Sequence, residues 1–126
     1  MGVLRNAVVL AVDDDPDMRE LLSMVLADYV REIVTTDSVD GALKLLGCMQ
    51  PTLILSDLSM PDRDGYDLIR SVRATPSSRY LPAIALSAYS EDGCRDAALA
   101  AGFDMFLRKP LDVRHFVPVL EALLGG

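Results

Sequence analysis

Short apolar runs alternate with segments of helical periodicity along the chain, and this alternation limits the fold more than any other feature. The apolar runs predict strands at residues 7–12, 32–36, 52–56, 83–87 and 104–108. Continuous apolar runs of this length are typical of strands that are buried on both faces of a parallel sheet. Five strands that alternate with five helices therefore predict an α/β domain with helices packed on both faces of the sheet.

Helix start and stop signals lie between these strands. Asp15 and Pro16 are an N-cap followed by proline at the first helical position, and Ser38 is placed to cap the second helix. The later helices are predicted at residues 65–73, from Ser90 or Glu91 to Gly102, and from Asp112 to Leu124. Pro118 lies inside the last helix and predicts a kink or a late start, because proline lacks an N–H donor and clashes one turn back.

Length and charge exclude several classes of protein. The 126 residues are enough for one domain with a real core, and a hydrophobic content of 51% predicts a folded chain. The net charge of -7 argues against a nucleic-acid surface, which needs a clustered basic face. Two cysteines are too few for a disulfide framework or a metal cluster.

The two ends of the chain carry no sign of membrane targeting. The apolar run near the N-terminus is too short to span a bilayer and stops at acidic residues, so we expect no signal peptide, no membrane insertion and a cytoplasmic setting. Only Gly125 and Gly126 follow Leu124, and we therefore expect no output domain within this sequence.

Chemically active side chains stand at the carboxyl ends of the predicted strands. Asp13 and Asp14 follow the first strand, Asp57 the third and Lys109 the fifth, while Ser87 ends the fourth. The carboxyl ends of parallel strands meet at one edge of the sheet, where open α/β sheets bind ligands. We therefore expect these five side chains to converge.

The predicted group has a specific chemistry. Three carboxylates held together repel each other unless a cation joins them, and oxygen ligands suit a hard cation such as Mg²⁺. A lysine can neutralise a phosphoryl group, a serine can donate a hydrogen bond to it, and a carboxylate can act as nucleophile and form an aspartyl phosphate.

Each residue also has a simpler interpretation when it is taken alone. The acidic run at Asp13 and Asp14 could serve only the helix N-terminus, and Asp57 could only start a turn. Ser87 and Lys109 would ordinarily be a loop hydroxyl and a solvated surface lysine. Their convergence at successive strand ends favours a site over four unrelated coincidences.

Four segments, AVDDDPDMRELL, SDLSMPDRDGYDLI, IALSAYS and FLRKPL, together resemble the receiver domain of two-component response regulators. The resemblance extends over essentially the full length and implies one receiver domain at residues 1–126. It implies a doubly wound, five-stranded parallel sheet of the flavodoxin and CheY type, with strand order 2-1-3-4-5.

The resemblance also implies a role for each residue of the predicted site. Asp57 is similar in position to the phosphoacceptor, Asp14 to a direct Mg²⁺ ligand, and Asp13 to an acid that reaches the metal mainly through water. The backbone carbonyl of Ser59 would be a further metal ligand. Lys109 resembles the phosphate-binding lysine, and its peptide bond to the following proline is expected to be cis.

Switching and phosphoryl lifetime are implied for four positions. Ser87 occupies the family's hydroxyl position and would move towards the phosphoryl group. Phe106, three residues before the lysine, stands where the family's aromatic switch residue is found. Ser59 and Tyr89 stand where side chains tune the lifetime of the aspartyl phosphate.

The implied function is a signalling switch in a phosphorelay. The phosphoryl donor would be a phosphohistidine of a histidine kinase or of a histidine phosphotransfer domain. A downstream protein would bind the face formed by the fourth helix, fifth strand and fifth helix. Such a chain catalyses only its own phosphorylation and dephosphorylation and is not a turnover enzyme.

Two alternatives stay open at this point. A hydrolase of the haloacid-dehalogenase type also arranges an aspartate, a hydroxyl and a lysine around Mg²⁺, but the run from Asp13 to Asp17 supplies only the two acids of its motif. A receiver-like binding module that has lost phosphorylation would lack an acid or the lysine. The sequence leaves two origins open, a stand-alone regulator and the receiver of a hybrid sensor kinase, and residues 81–111 resemble the latter more.

Overall fold

The computed structural model describes residues 3–60, 63–88 and 94–125 of the chain. The strands are β1 (Val8–Val12), β2 (Glu32–Thr36), β3 (Leu53–Asp57), β4 (Ala83–Ser87) and β5 (Met105–Arg108). The helices are α1 (Pro16–Leu26), α2 (Val39–Leu46), α3 (Gly65–Ala74), α4 (Cys94–Ala101) and α5 (Val113–Gly125). Neighbouring strands are parallel throughout, in the order β2-β1-β3-β4-β5. The predicted fold class and strand order are confirmed.

Side chains at the helix N-termini explain where three helices begin. The carboxylate of Asp15 accepts a hydrogen bond of 3.0 Å from the N–H of Asp17, and the hydroxyl of Ser38 accepts one of 3.0 Å from the N–H of Gly41. Asp64 caps α3 through a reciprocal pair of hydrogen bonds with Asp67. Each cap satisfies a backbone donor that the first turn leaves unpaired, which fixes the point where the chain leaves the sheet edge.

The core lies in two layers, one on each face of the sheet. Val9 and Ala11 of β1 point into the layer beneath α1 and α5, whereas Leu10 and Val12 point into the layer beneath α2, α3 and α4. Every residue of β3 and β4 is buried. This explains the unbroken apolar runs in the sequence, because a central strand of a doubly wound sheet meets helices on both faces.

Four boundaries in three strands differ from the sequence-based prediction by one residue. β1 begins at Val8 and β5 at Met105, and β3 runs from Leu53 and includes Asp57 as its last residue. At β5 the cause is visible, because the Asp104 side chain accepts a hydrogen bond of 2.9 Å from the N–H of Ala83. The backbone N–H of Asp104 also donates to the carbonyl of Ala83 at 2.9 Å, so its side chain takes the Ala83 N–H where a further β5 residue would offer a backbone carbonyl.

The bounds of the last two helices test the predictions made for the end of α4 and for Pro118 in α5. The predicted start of α4 at residue 90 or 91 lies outside the described residues, while its end at Gly102 is confirmed by a φ of +129° there. α5 begins directly after Asp112, whose carboxylate accepts a hydrogen bond of 3.0 Å from the N–H of Arg114. Pro118 lies inside this helix, so the alternative of a late start is wrong, and the kink stays a prediction.

Arg73 of α3 joins several segments at the amino end of the sheet. Its guanidinium donates hydrogen bonds to the carbonyl oxygens of Gly102 at 2.9 Å, Arg79 at 2.9 Å and Leu81 at 2.6 Å. It also forms an ion pair of 3.0 Å with Asp104. We call this group the Arg73 clamp, and it fastens α3 to the starts of β4 and β5.

Candidate functional site

The predicted acids meet where β1 and β3 separate. Val12 and Ser56 are the last register pair between the two strands, and Asp13 and Asp57 are the next residues along each strand. Asp13, Asp14 and Asp57 offer carboxylate oxygens that all lie within 4.8 Å of one another. The strand order changes direction at this point, which opens a crevice at the carboxyl edge of the sheet.

Asp13 is held on several sides. Its side chain is 0% exposed, one carboxylate oxygen accepts a hydrogen bond of 2.9 Å from the N–H of Asp15, and the other accepts one of 2.8 Å from Lys109 Nζ. Asp14, by contrast, is exposed. The two neighbouring acids are therefore unlike, since one is fixed inside the protein and the other faces solvent.

Asp57 ends β3 with its carboxylate close to Lys109. Its Oδ1 lies 3.5 Å from Lys109 Nζ and accepts a hydrogen bond of 3.4 Å from the N–H of Ser59. On its other side, a side chain at Gly65 would collide with the carbonyl oxygen of Asp57. The α3 N-terminus can approach the acidic residue this closely only because position 65 is glycine.

The surroundings of Asp57 shift its titration. Burial is the main reason that the pKa of this carboxyl is raised above the ordinary aspartate value. The charge of Lys109 and the N–H of Ser59 act to lower the pKa, and the charges of Asp13 and Asp14 act to raise it. The net direction is upward, so the ionised form of Asp57 lacks enough compensating positive charge.

Lys109 supplies positive charge from the end of β5. Burial alone would lower its pKa, but the hydrogen bond to Asp13 and the charges of Asp57 and Asp13 outweigh burial, and the pKa is raised. Its backbone N–H donates a hydrogen bond of 2.8 Å to the carbonyl of Ser87, which holds the ends of β4 and β5 together. The expected cis peptide bond between Lys109 and Pro110 is confirmed.

Ser87 ends β4 at the rim of the same crevice. It is 1% exposed and lies on a cleft of about 280 Å³. The other residues of this cleft are Leu58, Ser59, Met60, Asp64, Tyr66 and Cys94. Phe106 is half-buried in β5 and packs against the core layer beneath α3 and α4. Tyr89 lies outside the described residues.

Comparison with known proteins identifies the family to which this arrangement belongs. The family model described as the response regulator receiver domain matches residues 9–121. The chain belongs to this family.

Relatives and solved structures agree with this assignment. The chain is 40% identical to a 14.6 kDa protein of Leptolyngbya boryana over 96% of this chain and 92% of that protein. It is 35% identical to the signal transduction histidine-protein kinase BarA of Shigella flexneri, over 82% of this chain but only 11% of the kinase. A receiver domain of a histidine kinase from Syntrophus aciditrophicus is 30% identical, with a TM-score of 0.87 and coverage of 95% of this chain and 91% of that one.

The donor set of this receiver domain fits a magnesium ion. Receiver domains bind Mg²⁺ at their acidic site, and the receiver of a sensor histidine kinase from Pseudomonas aeruginosa holds one in its active-site cleft. That structure is 26% identical to this chain and has a TM-score of 0.86. The match covers 96% of this chain and 99% of the Pseudomonas chain. Here three carboxylates supply only oxygen ligands, as a hard cation requires. Because burial raises the pKa of Asp57, a cation bound beside it would favour its ionised form.

One residue of the site was not predicted from the sequence. Arg19 of α1 donates a hydrogen bond of 2.8 Å from its Nη1 to the backbone carbonyl of Asp13. The sequence signal is weak, since it consists of an arginine one turn into a helix that follows an acidic run.

Among the described helices of this receiver domain, none has the length and apolar content needed to cross a bilayer.

Proposed function

We propose that this receiver domain, taken as residues 1–126, accepts a phosphoryl group on Asp57 in a Mg²⁺-dependent reaction. The observation that carries the proposal is the position of the Asp57 carboxylate. It lies at the mouth of the crevice, 3.5 Å from Lys109 Nζ and within 4.8 Å of the other two carboxylates. An acid that served only packing or capping would have no need of two like charges beside it.

The donor is a phosphohistidine of a histidine kinase or of a histidine phosphotransfer domain. An oxygen of Asp57 attacks phosphorus, the new P–O bond forms as the P–N bond breaks, and the bonding electron pair leaves with the imidazole nitrogen. Lys109 faces the incoming phosphoryl oxygens as a point charge. Catalysis then consists mainly of positioning and charge neutralisation.

The metal would be held by Asp14, Asp57 and the backbone carbonyl of Ser59, with Asp13 acting mainly through water. When bound, Mg²⁺ supplies positive charge to the phosphoryl oxygens and relieves the repulsion among the carboxylates. Lys109 already pairs with Asp13 at 2.8 Å, which keeps its ammonium group at the edge of the acceptor position.

The readout would be a change in the face formed by α4, β5 and α5. Ser87 moves towards the phosphoryl group and donates a hydrogen bond to it, and Phe106 turns into the space that Ser87 leaves. Ser59 and Tyr89 tune the lifetime of the aspartyl phosphate, which is the role that the resemblance to the family implies for their positions. A downstream protein then distinguishes the two forms of the face.

The experiment is intact-mass spectrometry after incubation with MgCl2 and acetyl phosphate. The parent should gain one phosphoryl group, and it should gain none when EDTA replaces Mg²⁺. Asp57→Asn should gain none under either condition. Equal gain by parent and variant would mean that the acceptor is a different residue. If neither gains a group, a purified phosphohistidine donor replaces acetyl phosphate, and failure with both donors would refute the proposal.

A further inference from the structure

Arg19 makes a contact that the phosphoryl chemistry above does not use. We propose that Arg19 is a positioning residue for the acidic site, which fixes the peptide between Asp13 and Asp14 and thereby orients the Asp14 carboxylate towards the metal. The contact itself is the 2.8 Å hydrogen bond from Arg19 Nη1 to the carbonyl oxygen of Asp13. This inference rests on the proposed function, because it assumes that Asp14 binds the metal.

The carbonyl of Asp13 lies at the point where the sheet opens. The N–H of Asp13 still donates to the carbonyl of Thr36 on β2 at 3.1 Å, but on the β3 side the N–H of Leu58 donates to Leu86 of β4. Within the described ranges, no backbone N–H donates to the Asp13 carbonyl. Arg19 therefore supplies the donor that the sheet no longer provides, and a buried carbonyl without a donor would be costly.

Fixing this carbonyl has a direct consequence for Asp14. The carbonyl of Asp13 and the N–H of Asp14 belong to one planar peptide group, so a bond to its oxygen restrains the whole plane. The Asp13 side chain is already held by Asp15 and Lys109. The Asp14 side chain is exposed, and the described part of the chain gives it no hydrogen bond or ion pair, so its direction depends on its backbone.

A positioning role and a purely electrostatic role predict opposite results. The positive charge of Arg19 repels a divalent cation, and if charge were its only effect, its removal would strengthen Mg²⁺ binding. If Arg19 orients a ligand, its removal weakens Mg²⁺ binding, as the loss of partners behind metal ligands generally does. The sign of the change in affinity therefore separates the two roles.

The test is a titration of the metal-free protein with MgCl2, in which the changes of the amide chemical shifts in two-dimensional NMR spectra give the dissociation constant. Arg19→Gln should bind Mg²⁺ about 10-fold more weakly than the parent. Arg19→Lys keeps the charge and one donor and should lose less. Arg73→Gln, which disrupts the far end of the sheet, should keep the parent affinity, and so should Arg95→Gln, which removes an equal charge from an exposed position.

Each outcome decides the matter. Thermal unfolding first shows that every variant is folded at the temperature of the titration. Parent-like or tighter binding by Arg19→Gln would overturn the inference and leave the proposed function intact. A similar loss of Mg²⁺ affinity in Arg73→Gln would also overturn the inference, because the weaker binding would then result from general destabilisation of the fold. Absence of Mg²⁺ binding in the parent itself would refute the proposed function, and this inference with it.

Discussion

The amino end of the sheet has one arginine among four acceptors, whereas its carboxyl end has one lysine among three acids. In the Arg73 clamp the positive charge is balanced by Asp104, and the remaining donors reach carbonyl oxygens. At the acidic site Lys109 pairs with Asp13 and Asp57, and Asp14 adds a further negative charge.

This difference teaches how the molecule separates stability from binding. Hydrogen bonds and charges that are satisfied within the protein stabilise the fold and leave nothing for a ligand. Repulsion that the protein leaves uncompensated lowers its stability without metal, and the same repulsion is relieved when a cation binds. The two ends of the sheet should therefore respond differently to mutation, pH and metal.

Disruption of the Arg73 clamp should produce the largest loss of stability. Arg73→Gln shortens the side chain and removes its bonds to three backbone carbonyls and Asp104, which should lower the free energy of unfolding by about 3 kcal/mol. Urea unfolding measures this loss. Arg79→Gln is the matched control, because in the described residues only the backbone carbonyl of Arg79 joins the clamp. A loss below that of the control would mean that the clamp is not a source of stability.

Removal of the lysine from the acidic site should come next. Lys109→Met leaves the fully buried Asp13 carboxylate without its ion-pair partner, and it should lower the free energy of unfolding in EDTA by about 2 kcal/mol. Lys44→Met, at the only other lysine of the sequence, should change little, since that residue is exposed. If the two variants unfold alike in EDTA, the acids do not depend on Lys109.

Metal should distinguish the two ends of the sheet. With Mg²⁺ at tenfold its dissociation constant, the parent should gain about 1.4 kcal/mol of stability, and EDTA should remove this gain. Arg73→Gln should gain the same amount of stability, although its stability without metal is lower. Asp14→Asn should gain less, because it lacks one of the carboxylates proposed as metal ligands. Differential scanning calorimetry with and without Mg²⁺ measures these gains. An equal gain in Asp14→Asn would place the metal elsewhere.

The sequence predicted those parts of the molecule that depend on local patterns. The strand at residues 83–87 has the predicted bounds, because an apolar run between a proline and a polar turn is buried on both faces. The caps at Asp15 and Ser38 follow from side chains that can reach their own helix. Convergence of the acids followed from the parallel arrangement of the strands alone.

The parts that escaped prediction depend on distances between remote segments. Arg19 and Arg73 are both arginines within amphipathic helices, and local periodicity does not tell which backbone carbonyl each one reaches. Asp104 was predicted as the first residue of β5, whereas its side chain accepts a hydrogen bond from the N–H of Ala83 at the start of β4. Such contacts follow from the packed fold, and they decide how each end of the sheet is satisfied.

The smallest expected effect concerns Asp57 itself and depends on pH. Its raised pKa means that the folded state holds this proton more tightly than the unfolded chain, whose aspartate titrates at about 3.9. The resulting stability is fully present below that pH, and it is lost as the pH rises through the folded-state pKa. Asp57→Asn keeps a neutral side chain at every pH. Its free energy of unfolding in EDTA should therefore exceed that of the parent by about 1 kcal/mol near neutral pH.

The same variant should converge with the parent in acid. As the pH falls towards the ordinary aspartate value of about 3.9, the raised pKa lets the folded parent take up the Asp57 proton before the unfolded chain does, and the difference in the free energy of unfolding should shrink. Urea unfolding of both proteins in EDTA, from pH 4 to neutrality, measures the difference, with Asp96→Asn as control because Asp96 is exposed on α4. A constant difference, or a parent more stable than Asp57→Asn at neutral pH, would show that Lys109 fully compensates the Asp57 charge. The carboxyl end would then be as well satisfied as the Arg73 clamp, and the contrast between the two ends would fail.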